Sequence, residues 1–221
     1  MKKIAAIATI VMLAGIANAG TMSYSWEDGG TILGSYGNLV DPTNVTGPQV
    51  GLDGQGGSFT CPGAVSGDYY LHVAEEPHSS TPQAFVAWIR GLQVNDVVDA
   101  SFFGFDASPG ASPSVRIWAH YTDAVDPDSY EGSAGGNDTY SSGIGWEEIS
   151  ETWTYNPSDP DAAGLMIEVR LYSSPSTGDA RSDYFIDDVT VTAPDHATIT
   201  FAPEPASLIL VALGGLLIRR R

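Results

Sequence analysis

The chain has 221 residues and a formal net charge of −18 at pH 7. Between its two termini, over residues 20–202, only four basic residues stand against 26 acidic ones, and no lysine remains. A segment so acidic repels phosphate backbones, which excludes nucleic acid as a partner, and a single cysteine, Cys61, excludes an intrachain disulfide.

In chain order, Lys2 and Lys3 precede an apolar stretch from Ile4 to Ile16 and then Ala17-Asn18-Ala19. A charged start, a short apolar run and a small-x-small site predict a secretory signal peptide over residues 1–19, cut after Ala19. From residue 20 to 193 glycine and proline recur every few residues. The segments between them alternate with period two, the pattern of half-buried strands. Strands are expected at Tyr69 to Ala74, Ala84 to Arg90, Val97 to Phe105, Ser114 to Tyr121, Trp146 to Tyr155, Gly164 to Tyr172 and Ser182 to Thr192. Residues 122–145 are rich in Gly, Ser and Asp, which leaves either a functional or a mobile loop. Cys61, in Phe59-Thr60-Cys61-Pro62-Gly63, reads as a buried small hydrophobe or as a reactive thiol. Residues 194–202 read as a linker.

The last segment, residues 203–221, holds Pro203-Glu204-Pro205, an apolar run from Ala206 to Ile218, and Arg219, Arg220 and Arg221. As a helix, residues 206–218 would span about 20 Å at about 1.5 Å per residue, short of a bilayer core of about 30 Å. The run has no polar face, so it is unlike a helix at the edge of a core. A short apolar helix with a basic stop predicts a transient membrane anchor, its arginines on the cytoplasmic side. This order of parts resembles the PEP-CTERM sorting signal of Gram-negative bacteria. The resemblance implies handling by an exosortase-type processing enzyme, passing residence at the inner membrane, and delivery to the cell surface or extracellular matrix.

The middle carries a second resemblance. Ser25-Trp26-Glu27-Asp28-Gly29, Gly145-Trp146-Glu147-Glu148-Ile149 and Tyr184-Phe185-Ile186-Asp187-Asp188-Val189 are similar to the opening, middle and closing strands of galactose-binding-like jelly rolls. That family includes many carbohydrate-binding modules. The resemblance implies an all-β fold, an antiparallel β-sandwich (jelly roll), and a structural calcium ion held by Glu27 and Asp187, with Asp188 as the alternative ligand. Alternation puts Tyr184, Ile186 and Asp188 on one face, and Phe185, Asp187 and Val189 on the other. An acid among inward apolar residues needs a partner, which a calcium ion, a turn or Arg181 could supply.

Alternation also groups the candidate ligand residues. Trp88 and Arg90 share one face of their strand with Val86, away from Phe85, Ala87 and Ile89. Arg116, Trp118 and His120 share a face, as do Glu168, Arg170 and Tyr172. Aromatic rings stack on sugar C–H faces, and Arg and Glu give directed hydrogen bonds, so these residues form a glycan cleft if the three strands are neighbours. Otherwise they are a solvated sheet face. No G-x-S-x-G or H-E-x-x-H run is present. Glu147 and Glu148 point to opposite sides of one strand, unlike the carboxyl pair that glycoside hydrolysis needs. The sequence therefore predicts an exported, non-enzymatic surface or matrix protein with a glycan-binding sandwich. A polysaccharide hydrolase on a jelly-roll fold and a purely structural matrix component are the alternatives.

Overall fold

Period-two alternation produces strands with one face to bury, and two such sheets satisfy each other. A computed structural model describes residues 20–52, 58–77, 81–106, 115–141, 145–171 and 181–202. The first sheet is built from β1 (Thr21–Tyr24), β3 (Leu39–Thr46), β6 (Tyr69–Glu75), β8 (Val97–Asp106), β11 (Glu147–Thr154) and β13 (Ser182–Thr192). Its order is β11-β8-β13-β6-β3, with β1 paired to the second half of β13. The second sheet is built from β2 (Gly34–Tyr36), β7 (Gln83–Arg90), β9 (Val115–Thr122), β10 (Ser133–Gly135), β12 (Gly164–Leu171) and β14 (Thr198–Phe201). Its order is β10-β9-β12-β7, and β2 and β14 both pair with β7. A hairpin of β4 (Gln49–Leu52) and β5 (Ser58–Cys61) stands apart.

Every pairing is antiparallel, so the protein is an all-β antiparallel sandwich of two main sheets. Among the described residues no helix is long and apolar enough to cross a membrane. The signal segment 1–19 and the sorting segment 203–221, with Pro203, Glu204, Pro205, Arg219, Arg220 and Arg221, lie outside them.

The main core lies between the sheets and holds Trp26, Phe102, Ile117, Ile149, Trp153, Ile167, Tyr184 and Ile186. A second apolar layer lies outside the first sheet, where Cys61 is fully buried with Tyr70, Phe105 and Phe185. A third, smaller one lies outside the second sheet and joins Phe85, Trp88 and Met166, with Leu33 packed on it.

Two bulges correct the faces expected from strict alternation. On β7 the partner register passes from Ile167↔Ala87 to Glu168↔Phe85, so Val86 is the extra residue. Val86 therefore faces the core, and Phe85 joins Trp88 on the outer face. On β13 the register shifts between Asp187 and Thr190, and Asp188 takes a left-handed φ of 48°. Val189 is thereby turned into the core beside Tyr184 and Ile186, not beside Phe185. A bulge inserts one residue and swaps every face beyond it. The stretch read as a linker, residues 194–202, is corrected too, because it supplies β14 to the second sheet.

Candidate functional site

The register of the second sheet lays its outer side chains in ranks that run across the strands. The first rank is Arg116, Arg170, Gln83 and Tyr36, on β9, β12, β7 and β2 in turn. The second is Trp118, Glu168, Phe85 and Gly34. The third is His120, Met166, Trp88 and Thr200, and the fourth is Thr122, Gly164, Arg90 and Thr198. The three strands that carry Trp88, Arg90, Arg116, Trp118, His120, Glu168 and Arg170 are thus neighbours, and the seven residues share one face. Tyr172 lies outside the described residues.

This face is not a flat solvated sheet. After β9 the chain runs out over it and returns as β10. Asp123 Oδ1 accepts from the N–H groups of Val125 and Asp126 at 2.7 and 2.6 Å, and Asp126 Oδ1 accepts from that of Asp128 at 3.0 Å. These short-range acceptors give residues 123–128 a fixed bend. Asp128 then rests on β2: a Cβ placed on Gly34 would lie 2.1 Å from Asp128 Oδ1 and 2.9 Å from the Phe85 ring. Glycine at 34 is what lets this strap reach across.

Under and beside the strap lies a cleft of about 410 Å³, lined by Tyr36, Gln83, Phe85, His120, Asp128, Tyr130 and Arg170. Its size falls within the usual range for small-ligand sites. Tyr36 and Tyr130 stand at its mouth, 63 % and 65 % exposed. Phe85 and His120 form the floor, with ring centroids 5.0 Å apart, and Tyr130 leans over His120 at 5.6 Å.

Below the floor a fully buried carboxylate ties the polar groups together. Glu168 Oε1 is hydrogen-bonded to His120 Nδ1, and Glu168 Oε2 accepts from Arg170 at 3.3 Å. With its amide nitrogen toward Glu168, Gln83 donates to Oε2 at 3.1 Å and accepts from Arg170 Nη2 at 2.9 Å. The Arg170 guanidinium also lies 4.2 Å from the centroid of the Trp118 ring, and Trp118 Nε1 donates to Ser133 Oγ. Buried charges of this kind hold their neighbours in one geometry.

The seven candidate residues therefore split by accessibility. His120 and Arg170 reach the cleft, where Gln83, outside the seven, joins them, and Trp118 packs against the Arg170 guanidinium. Glu168 supports them from beneath. Trp88 is buried under Leu33, Phe85 and Met166, and donates from Nε1 to Thr122 Oγ1 at 2.8 Å. Arg116 donates to Thr139 at the far edge, and Arg90 faces a different cleft at the other end of β7. Tyr36, Phe85, Asp128 and Tyr130 were invisible to sequence reasoning. Phe85 is misplaced by the bulge, and the others sit in a three-residue strand and a long loop with no periodic signal.

The expected calcium ligands meet at one turn, residues 63–69, Glu27 and Asp187 through its main-chain N–H groups and Asp188 through a hydroxyl. Glu27 Oε1 accepts from Asp68 and Tyr69 N–H at 2.9 and 2.8 Å. Asp187 Oδ2 accepts from Val65 and Ser66 N–H at 2.7 and 3.3 Å, and Oδ1 from its neighbour Asp188 at 2.8 Å. Asp188 Oδ1 accepts from Ser66 Oγ at 2.6 Å. Among the described residues no three acidic, histidine or cysteine side chains converge as a cation site. Asp187 caps the turn through these N–H groups. Burial pushes its carboxyl up to about 6, against the N–H donors of Val65 and Asp188, which pull the other way. Glu147 and Glu148 lie on β11 of the first sheet, away from the cleft.

No protein-family model and no curated protein matches the chain. Among solved structures, it is similar to the CBM22-1 xylan-binding domain from Paenibacillus barcinonensis, at 17 % identity and a TM-score of 0.42, covering 80 % of this chain and 97 % of that one. It is also similar to the C-terminal CBM6 of a marine laminarinase from Zobellia galactanivorans, at 13 % identity and a TM-score of 0.35, covering 78 % and 98 %. The strand pairing described above, and not this likeness, defines the fold.

Proposed function

We propose that the sandwich is a non-catalytic glycan-binding module and that it takes a sugar ring in the cleft between Tyr36 and Tyr130. The observation that carries this reading is the pairing of two exposed tyrosines with a rigid polar floor of His120, Gln83 and Arg170. A sugar presents apolar C–H faces and directional hydroxyls. Tyrosine stacking answers the first, and donors and acceptors fixed by Glu168 answer the second. Such a site binds without reacting, since the buried carboxylate is consumed by His120, Arg170 and Gln83. The module belongs to an exported protein: residues 1–19 direct secretion, and residues 203–221 direct an exosortase-type enzyme to deliver it to the envelope surface or matrix. A glycan array followed by calorimetry on the purified protein tests the reading. Saturable binding of a neutral glycan without release of shorter sugars supports it. Released sugars would make the protein a hydrolase, and silence across the array would make it a structural component.

A further inference from the structure

Arg90 has no place in the glycan cleft, yet it is held with care. Its guanidinium lies 4.3 Å from the centroid of the Trp88 ring, and its Nε is buried with no hydrogen-bond acceptor. The other three arginines of residues 20–202 each have partners. Arg170 has Glu168, Arg181 has Asp183, Asp41 and Glu76, and Arg116 has Thr139. Arg90 makes no ion pair and no side-chain hydrogen bond among the described residues. In a segment with 26 acidic residues, carboxylates are not scarce.

The platform beneath Arg90 is fixed. Trp88 is tied to Thr122, and a Cβ on Gly164 would lie 2.8 Å from Trp88 Nε1 and 2.4 Å from Thr122 Oγ1. Only glycine at 164 leaves room for that indole. Above it Arg90 lines a cleft of about 780 Å³ whose walls include Leu92, Val94, Tyr155, Pro157 and Ala163. Val94 is 60 % exposed. The one acid on the rim, Asp159, turns its Oδ1 to the N–H of Asp161 at 2.9 Å.

We infer that this second cleft binds an organic carboxylate carried on an apolar body. Half-buried Arg90 lines the cleft with no carboxylate partner among the described residues, and a bound anion supplies one. A carboxylate matches the planar fork of arginine in geometry and charge. The walls are mostly apolar; beside Arg90 and Asp159 the polar side chains are Thr198 and Tyr155, whose hydroxyl already donates to the Ala162 carbonyl at 3.1 Å. A polyhydroxylated ring would leave its hydroxyls unpaired there, whereas an acyl or aryl chain buries apolar area against them.

The test titrates the protein with hexanoate and 3-phenylpropionate, using hexanol and glucose as neutral controls. Calorimetry and tryptophan emission are the readouts, since the guanidinium lies on Trp88. Saturable binding of both carboxylates is expected, with at least tenfold weaker binding of hexanol, a ratio in keeping with loss of one charge-assisted bond. Arg90→Gln should abolish carboxylate binding. Should that variant unfold, Val94→Glu keeps the sheet intact and sets a competing negative charge on the wall, with the same loss expected. No saturable binding by the folded protein, equal binding of hexanol, or carboxylate binding unchanged in Val94→Glu would each overturn the inference.

Discussion

His120 Nδ1 and Glu168 Oε1 are hydrogen-bonded beneath the floor of the cleft, with 2 % and 0 % of their side chains exposed. Glu168 lies opposite Trp118 and His120 opposite Met166, so the bond is a diagonal between β12 and β9. The same carboxylate receives Arg170. Removing it would leave His120, Arg170 and Gln83 without their shared acceptor. Glu168→Ala is expected to cost about 3–5 kcal/mol of stability, the usual penalty for breaking a buried pair from one side. Urea unfolding measures this, and a variant as stable as the parent would show that the carboxylate does not hold the floor.

Tyr36 and Tyr130 should affect binding with little effect on folding, because both are largely exposed. Each change to alanine is expected to weaken glycan binding by about three- to tenfold, the scale of one stacked ring. Trp88, which is 7 % exposed, should behave in the opposite way. Trp88→Ala is expected to destabilise by about 3–5 kcal/mol. Weaker binding in a Trp88→Ala protein of unchanged melting temperature would restore the flat-face reading of the sheet.

Asp187 makes a prediction with a definite sign. Its carboxyl is raised by burial from 3.8 to about 6, so the folded state holds the proton more tightly than the unfolded chain does. The resulting stability is complete below about pH 4 and lost as pH rises through about 6. Asparagine does not titrate, so the stability of the wild type relative to Asp187→Asn should fall between about pH 4 and pH 7. Thermal unfolding across that range reads it directly. A relative stability that climbs with pH, or a melting temperature lowered by chelator, would place a cation on Asp187 and overturn the turn-capping account.

The boundary of the folded domain can be found by truncation. β14 pairs with β7, buries Ile199, and stacks Phe201 on Tyr24 at 5.5 Å. A chain ending at Ala202 should melt at the same temperature as one carrying residues 203–221. A chain ending at Ala197 should lose stability sharply, because it exposes the edge of β7 and part of the core. Equal melting of all three would mean that β14 contributes nothing to the fold.

Several of these features were legible in the residues alone. Alternation around glycine and proline located β6, β7, β8, β9, β11, β12 and β13, and it placed Arg116, Trp118, His120, Glu168 and Arg170 on outer faces. It did so because side-chain direction along a strand depends only on the residue and its neighbours. The edge strand β3 was missed because it carries Pro42 and a left-handed Asp41, and β2 and β10 are three residues long. Other features belong to the folded chain. Adjacency of β9, β12 and β7 follows from pairings between distant segments. The bulges at Val86 and Asp188 follow from which residues the facing sheet must bury. Asp128 reaches Gly34 only once β9, β12, β7 and β2 lie side by side. Local alternation sets which way a side chain points, but strand order and register are set by the burial of both sheets together, and that sum is taken over the whole chain at once.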